Sequence, residues 1–223
     1  MSTPPANASH KAPRAPRNSL TIDRVVAGAV ELADAEGIDA LTMRALATHL
    51  EVRPMAIYHY VANKDAILDA IVDAVFGEVY IPEATGDWRD ELTTRSASMR
   101  AALGRHPWAV GLLETRPTPG IASLTNHNAV LDVLLTTGFS LPATAHAYAA
   151  IDAFVYGFAL QEAMLNSVDL AGSAPELLAG MNLTDFPRIT EFAMQHVMQP
   201  GYAFGNSFDA GLTMVLDGIA ALR

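Results

Sequence analysis

The chain has 223 residues, 51% hydrophobic and 17% charged, and no cysteine. This excludes a disulfide framework and thiolate chemistry, leaves ample apolar material for one large or two small domains, and makes a cytoplasmic home the simplest expectation. The net charge of −10 argues against a polyanionic partner only until the chain is divided: residues 1–64 hold seven Lys/Arg against six Asp/Glu, and residues 65–223 hold seven against eighteen. Phosphate neutralisation needs local positive charge rather than a basic protein, so any nucleic acid belongs at the N-terminal end. No apolar run reaches the roughly 18 residues of a membrane span, and we expect neither a span nor a signal core.

Residues 1–18, with Pro4, Pro5, Pro13 and Pro16 and little that packs, read as a disordered arm. Such an arm is either a solvated tail or a segment that tracks phosphates or a minor groove. A helix follows from the cap Thr21 to Glu36, with Ile22, Val25, Val26, Ala29, Val30 and Ala33 inward and Gly37 ending it. Thr42 caps a second, short helix whose apolar face is Met43, Leu46, Ala47 and Leu50. After a break at Glu51–Val52 a third opens at Arg53–Pro54, where proline suits a first helical turn. Ile57 and Val61 anchor it, while Arg53, Met55, Tyr58, His59 and Tyr60 spread outward. Asn63 caps a fourth helix, through Val79, with Ile67, Leu68, Ile71, Val75 and Phe76 on one side and Asp65, Asp69 and Asp73 on the other.

Ile81–Gly86 is a loop, and the next helix runs from Asp87 to Arg105 with Leu92, Met99 and Leu103 inward. His106–Pro107 breaks it. A short helix through Trp108–Leu113, a loop over Arg116–Gly120 and a helix over Ala122–Thr137 follow, the last stopped by Gly138. Pro142 opens the most apolar helix, through Leu165, hydrophobic nearly all round as a helix covered by more than one neighbour should be. Asn166–Asn182 reads as loop with a turn or two of helix. Phe186–Met198 is helical, Pro200–Gly201 breaks it, and Phe204–Leu222 closes the chain. With no internal repeat and almost no β-branched alternation, the class is all-α: an arm over 1–18, a three-helix head over 19–64 and a larger helical domain over 65–223.

Enzymatic chemistry finds little support. None of the seven histidines falls in HExxH, HxH or a Cys/His cluster, and no GxSxG, Gly-rich phosphate loop or Rossmann fingerprint occurs. We expect no metal, no cofactor and no catalysis. His127, between Asn126 and Asn128, suits a surface or a pocket rim. Tyr148, Asp152 and Tyr156 share one side of the apolar helix, four residues apart. A carboxylate there must be hydrogen-bonded or pushed toward its neutral form. Its use is either a hydrogen bond within the core or subunit contact, or a polar contact inside a ligand cavity.

Two short helices joined by a tight turn form a helix-turn-helix, whose second helix enters a major groove. The ordered set Leu41-Thr42-x-Arg44-x-Leu46-Ala47, Leu50-x-Val52, Ile57-Tyr58-x-Tyr60-Val61 and Asn63-Lys64-x-x-x-Leu68 resembles the DNA-binding motif of the tetracycline-repressor (TetR) family. Glu51 departs from it, standing where the family usually has glycine. A looser likeness covers Trp88, Thr115-Arg116-Pro117, Gly138-Phe139-Ser140-Leu141 and Phe154-x-x-Gly157, and then Phe208-x-x-Gly211-Leu212 and Leu216-x-Gly218-Ile219 of the family's last helix.

The resemblance implies a homodimeric, ligand-responsive repressor that holds a palindromic double-stranded DNA operator and is released by a small-molecule effector. Subunits would join through residues 142–165 and 203–222, with Phe158 and Leu212 at the contact. A ligand-independent activator or architectural protein, and an all-α enzyme, are the alternatives. By motif position the DNA contacts are Met43, Arg44, Arg53, Pro54, Met55, Tyr58, His59, Tyr60 and Lys64. Of these, Lys64, Tyr58 and Tyr60 suit phosphates and Arg44 and Arg53 suit guanines. Tyr58 and Tyr60 alternatively pack against the first helix. The candidate ligand contacts are Met99, Leu103, Leu112, Thr115, Val130, Leu131 and Gln161, with Tyr148 and Asp152 as polar groups new to this chain. In tetracycline-binding members a histidine three residues before the Thr-Arg-Pro run holds the drug's magnesium, but here that position is Leu112, which offers a hard cation no lone pair. The expected effector is therefore apolar or aromatic and bound without metal, and an inward-pointing Asp152 would favour a hydrogen-bond donor or cation.

Overall fold

A computed structural model describes residues 20–113, 115–116, 118–166, 180, 183 and 185–223. The expected arm over 1–18 and most of the expected 166–182 loop lie outside the described residues. Among the described residues the regular structure is entirely helical.

The head is built from α1 (Ile22–Glu36), α2 (Met43–His49), α3 (Pro54–Ile57) and the first half of α4 (Lys64–Gly77). Side-chain caps start three of them: Thr21 Oγ1 accepts from Arg24 N at 3.2 Å, Thr42 Oγ1 from Ala45 N at 3.1 Å, and Asn63 Oδ1 from Ala66 N at 2.9 Å. The regular part of α3 is shorter than the pattern over 54–61 suggests. Its chain path nevertheless stays coiled to Val61, because Tyr60 N and Val61 N both donate to Ile57 O, at 2.9 and 3.2 Å. Between α2 and α3, Glu51 takes φ 56°, the left-handed value a glycine would adopt freely, and Val52 N closes the turn onto Ala47 O at 2.9 Å. Gly28 on α1 makes room in a different way. A Cβ there would stand 2.5 Å from Leu50 Cδ2, so the buried Leu50 side chain would have to shift to admit one.

The larger unit comprises the second half of α4, α5 (Trp88–Arg105), α6 (Val110–Leu113), α7 (Ile121–Thr136), α8 (Leu141–Asn166), α9 (Pro187–Phe192) and α10 (Phe208–Ala220). Trp88, Leu92, Met99 and Leu103 of α5 meet Val130, Val133 and Leu134 of α7, Ile151 and Val155 of α8, and Phe208, Leu212 and Leu216 of α10. The apolar packing changes hands inside α4: Ile67 and Ile71 belong to the head cluster, Val72, Val75 and Phe76 to the larger one. A single helix thus serves two cores.

The break at His106–Pro107 does more than stop α5. Asp34 Oδ1 on α1 accepts from Trp108 Nε1 at 2.6 Å and pairs with His106 Nδ1 at 2.8 Å, while His106 Nε2 lies 3.1 Å from Glu78 Oε1 at the end of α4. Burial works to raise the Glu78 carboxyl, but hydrogen bonds from Arg105 and His106 hold it below the usual range. Trp108 packs against both apolar clusters. This corner is where head and larger unit are fastened together.

Phe158 and Leu212, expected at a subunit contact, are instead buried within the chain, 7% and 2% exposed. Phe158 stacks on Phe204 at 4.6 Å and meets Phe208 edge-on at 5.1 Å, so its ring is spent inside one subunit. Among the described residues, the large apolar side chains that α8 and α10 leave exposed are Leu141, Leu160, Met164 and Met214.

Candidate functional site

Two surfaces carry the chemistry, one on the head and one inside the larger unit. On the head, Arg44, Arg53, Pro54, Met55, Tyr58, His59, Tyr60 and Lys64 are all exposed, Met55 by as much as 71%. Met43 is the exception, half-buried against the head core because it lies on the inner face of α2. The Tyr60 hydroxyl donates to Leu20 O at 2.6 Å, which ties the end of the coiled α3 path to the start of α1. That is the packing use of Tyr60, although its ring remains partly exposed.

A cavity of about 640 Å³ opens between α4, the α6–α7 loop, α7 and α8. Phe76, His127 and Tyr148 form an edge-to-face ladder along it, with ring centres 5.1 and 5.6 Å apart. Asp152 and Tyr156 also line it. Asp152 Oδ1 accepts from Arg95 Nη1 at 2.6 Å and its Oδ2 accepts from the Tyr156 hydroxyl at 3.3 Å. Arg95, wholly buried on α5, also donates from Nε to Asn126 Oδ1 at 3.0 Å, and Asn126 donates to Tyr80 O. Burial acts to lower the guanidinium, yet Asp152 outweighs it and holds Arg95 charged. Burial, reinforced by Asp152, pushes the Tyr156 phenol far up, so it stays protonated. Asp152 therefore does not offer an open carboxylate to a cation or donor, as an inward-pointing acid would. A buried guanidinium stripped of water claims it first.

Of the ligand contacts expected from the sequence, Tyr148 and Asp152 line this cavity. The apolar wall of Met99, Leu112, Val130 and Leu131 does not form around them. Met99, Leu103 and Val130 are sealed in the core at 1% exposure or less, Leu112 packs half-buried against that core, and Leu131 lies exposed on α7. Thr115 and Gln161 are exposed, their side chains donating to backbone carbonyls at Gly111, Leu112 and Gly157. Among the residues of the actual wall or its support that the sequence did not assign to a ligand site are Arg116, Asp73 and Arg95. Arg116 lines the cavity and ties back to α4: Nε donates to Asp69 Oδ1 at 2.6 Å, Nη1 to Asp65 Oδ1 at 3.2 Å, and Nη2 to Asp65 O at 3.0 Å. The hydrogen bond to Asp69, above all, raises its pKa beyond that of an ordinary arginine. One turn further on, Asp73 accepts from Ser123 N at 2.8 Å and Ala122 N at 3.3 Å, capping α7 from outside. Their signal was present in the fourfold spacing of Asp65, Asp69 and Asp73. Arg95 also had one, as the charged residue on the buried stripe Trp88, Leu92, Arg95, Met99, Leu103.

Residues 25–71 match the family described as bacterial regulatory proteins, tetR family, and residues 82–223 match the tetracyclin repressor-like C-terminal domain. The chain belongs to the TetR family. An HTH-type transcriptional regulator of Saccharopolyspora erythraea is 34% identical over 91% of this chain and 85% of its own length. The HTH-type transcriptional repressor DrrR1 of Streptomyces coeruleorubidus is 31% identical over 94% of this chain and 80% of its own. Among solved structures, the TetR-family protein ActR of Streptomyces coelicolor in complex with actinorhodin superposes with a TM-score of 0.74 at 26% identity, covering 91% of this chain and 98% of ActR. This TetR-family chain is accordingly a DNA-binding transcriptional repressor with a C-terminal ligand-binding domain, and not an enzyme. Among the described residues, no helix is long and apolar enough to cross a membrane.

Proposed function

We propose that this regulator works in the cytoplasm as a homodimer, placing two heads on a palindromic operator and letting go when a small aromatic effector enters the cavity of each subunit. The observation that carries the reading is the position of the cavity. Its wall includes Asp69, Val72 and Phe76 of α4, the helix whose first half packs into the head. Whatever fills the cavity presses on the rod that orients α3. The relative crystallised with actinorhodin supports a small-molecule effector. The domain division that follows is an arm over 1–18, a DNA-binding unit over 19–64 and a ligand-binding and dimerisation unit over 65–223, with α4 as the lever between the last two. Direct DNA contacts come from the exposed set Arg44, Arg53, Pro54, Met55, Tyr58, His59 and Lys64.

Leu112 stands where the tetracycline-binding members carry their magnesium-holding histidine, and it packs on the core with no donor atom to offer. Tetracycline with magnesium is therefore expected not to bind in the micromolar range. A labelled duplex from the region upstream of the coding sequence, titrated by fluorescence anisotropy at rising salt, tests the DNA reading. Extracts of the producing cell, added to the complex, test the effector. A complex that no extract component releases would leave a DNA-binding protein without ligand control.

A further inference from the structure

The charges around the cavity are already matched within the protein. Asp152 has Arg95 at 2.6 Å behind it, and Asp69 has Arg116 at 2.6 Å beside it. What remains unspent is donors. A guanidinium has five N–H groups. Among the described residues Arg116 places three of them on Asp65 and Asp69, leaving two for the cavity it lines. Deeper in, Arg95 Nη2 is buried and, among the described residues, has no hydrogen-bond partner. Both oxygens of Asp152 are occupied, one by Arg95 and one by Tyr156, which leaves Asp69 as the acid best able to receive anything. The balance favours a ligand rich in acceptors over one carrying an ammonium.

The Arg116 tie is also built to exchange. The Asp65 side chain is 75% exposed and the Asp69 side chain 27%, so water can take over either carboxylate once the guanidinium leaves. The Arg116 side chain is only 15% exposed, so an anion entering the cavity meets a guanidinium with little water around it. Between Arg116 and Asp152 the Phe76–His127–Tyr148 ladder gives flat aromatic surface to slide against.

We propose that the effector is a flat aromatic acid, its carboxylate or phenolate exchanging with Asp69 for Arg116 and so freeing α4 from the α6–α7 loop. This rests on the cavity being the effector site and reverses the preference for a donor or cation that Asp152 alone suggests. Arg116 is then both the specificity determinant and the trigger: its two remaining N–H groups meet the ligand first, and the ligand's anion then competes with Asp69 for the rest.

Calorimetric titration of the full chain with three probes tests it: anthraquinone-2-carboxylate, anthraquinone-2-carboxamide and 2-(aminomethyl)anthraquinone. The carboxylate should bind about tenfold or more tighter than the carboxamide, as a charge-assisted hydrogen bond implies, and the amine should bind weakest. Arg116→Gln should erase the preference and Arg116→Lys retain part of it. Asp69→Asn should tighten the carboxylate, because it removes the competing anion, and a damaged fold cannot produce that gain. Equal or tighter binding of the carboxamide or the amine overturns the acid and leaves the cavity as an effector site. An unchanged preference in Arg116→Gln, or weaker carboxylate binding in Asp69→Asn, overturns the exchange at Arg116. Silence from all three probes overturns both the acid and the cavity reading.

Discussion

Glu51 holds a backbone conformation in which a side chain costs roughly 1 kcal/mol relative to glycine, at φ 56°. Glu51→Gly should stabilise the protein by up to about 1 kcal/mol, seen as a higher urea midpoint with unchanged slope. A lower midpoint would mean that the glutamate side chain contributes something in place. The buried pair behaves oppositely. Asp152→Ala leaves the wholly buried Arg95 guanidinium without its anion, a change that costs about 3–5 kcal/mol in comparable pairs. Arg95→Met on top of it should restore most of the lost thermal stability, since an apolar side chain needs no counter-charge. Failure of the double variant to recover would place the cost in packing rather than charge. Tyr156 adds a pH signature. Its phenol is pushed above the ordinary value of 10.0, by burial first and Asp152 second, so the native state keeps a proton that the unfolded chain releases. That contribution is complete below about pH 10 and is lost as pH rises further. Tyr156→Phe should therefore show a shallower alkaline decline in melting temperature than the unaltered chain.

At the scale of elements, α2, α3 and α4 owe their identity to features that a sequence displays openly. Threonine and asparagine caps, proline in a first turn and apolar spacing are local, and the structure puts each where the pattern does. The cavity was less legible because its wall is assembled from four separate segments. Helical periodicity says that Met99 and Val130 face inward, but it does not say whether inward means a packed core or an empty space. Tyr148 and Asp152 were visible as polar intrusions on an apolar helix, whereas Arg95 becomes their partner only once α5 and α8 are side by side, 57 positions apart in the chain. The DNA contacts divide by element too. Arg44 lies on α2 and Lys64 opens α4, both exposed. If Lys64 meets a phosphate, Lys64→Ala should weaken binding to all duplexes alike and lower the salt slope by about 1. If Arg44 reads a guanine, Arg44→Ala should cost about 1–3 kcal/mol and relax one base position in each half-site. Anisotropy titrations over a set of singly substituted duplexes separate these outcomes, and equal, sequence-independent losses from both variants would undo the division.

For the whole molecule, the question is which apolar surface one subunit leaves for another. The all-round hydrophobicity of α8 suggested a subunit contact through Phe158 and Leu212, but α8, α10 and the turn at Phe204 pack together and already bury both residues within one chain. Among the described residues, the large apolar side chains still exposed on the two helices are Leu141 at 70%, at the start of α8, Leu160 at 48%, Met164 at 61% and Met214 at 70%. Scattered exposed apolar residues are ordinary, but large ones on two helices packed side by side have the makings of a self-complementary patch. Leu160→Glu combined with Met214→Glu should give a folded monomer, with helical content retained and half the mass in sedimentation velocity. Phe158→Glu should instead lower the melting temperature sharply, because it puts a charge inside the chain's own aromatic cluster. The DNA readout follows from geometry. Two heads related by a twofold axis address half-sites about 35 Å apart, so the double variant should lose the tight palindrome complex while keeping weak binding to a single half-site. If the double variant still sediments as a dimer, the subunits meet elsewhere, and the exposed apolar row of α8 and α10 has another use.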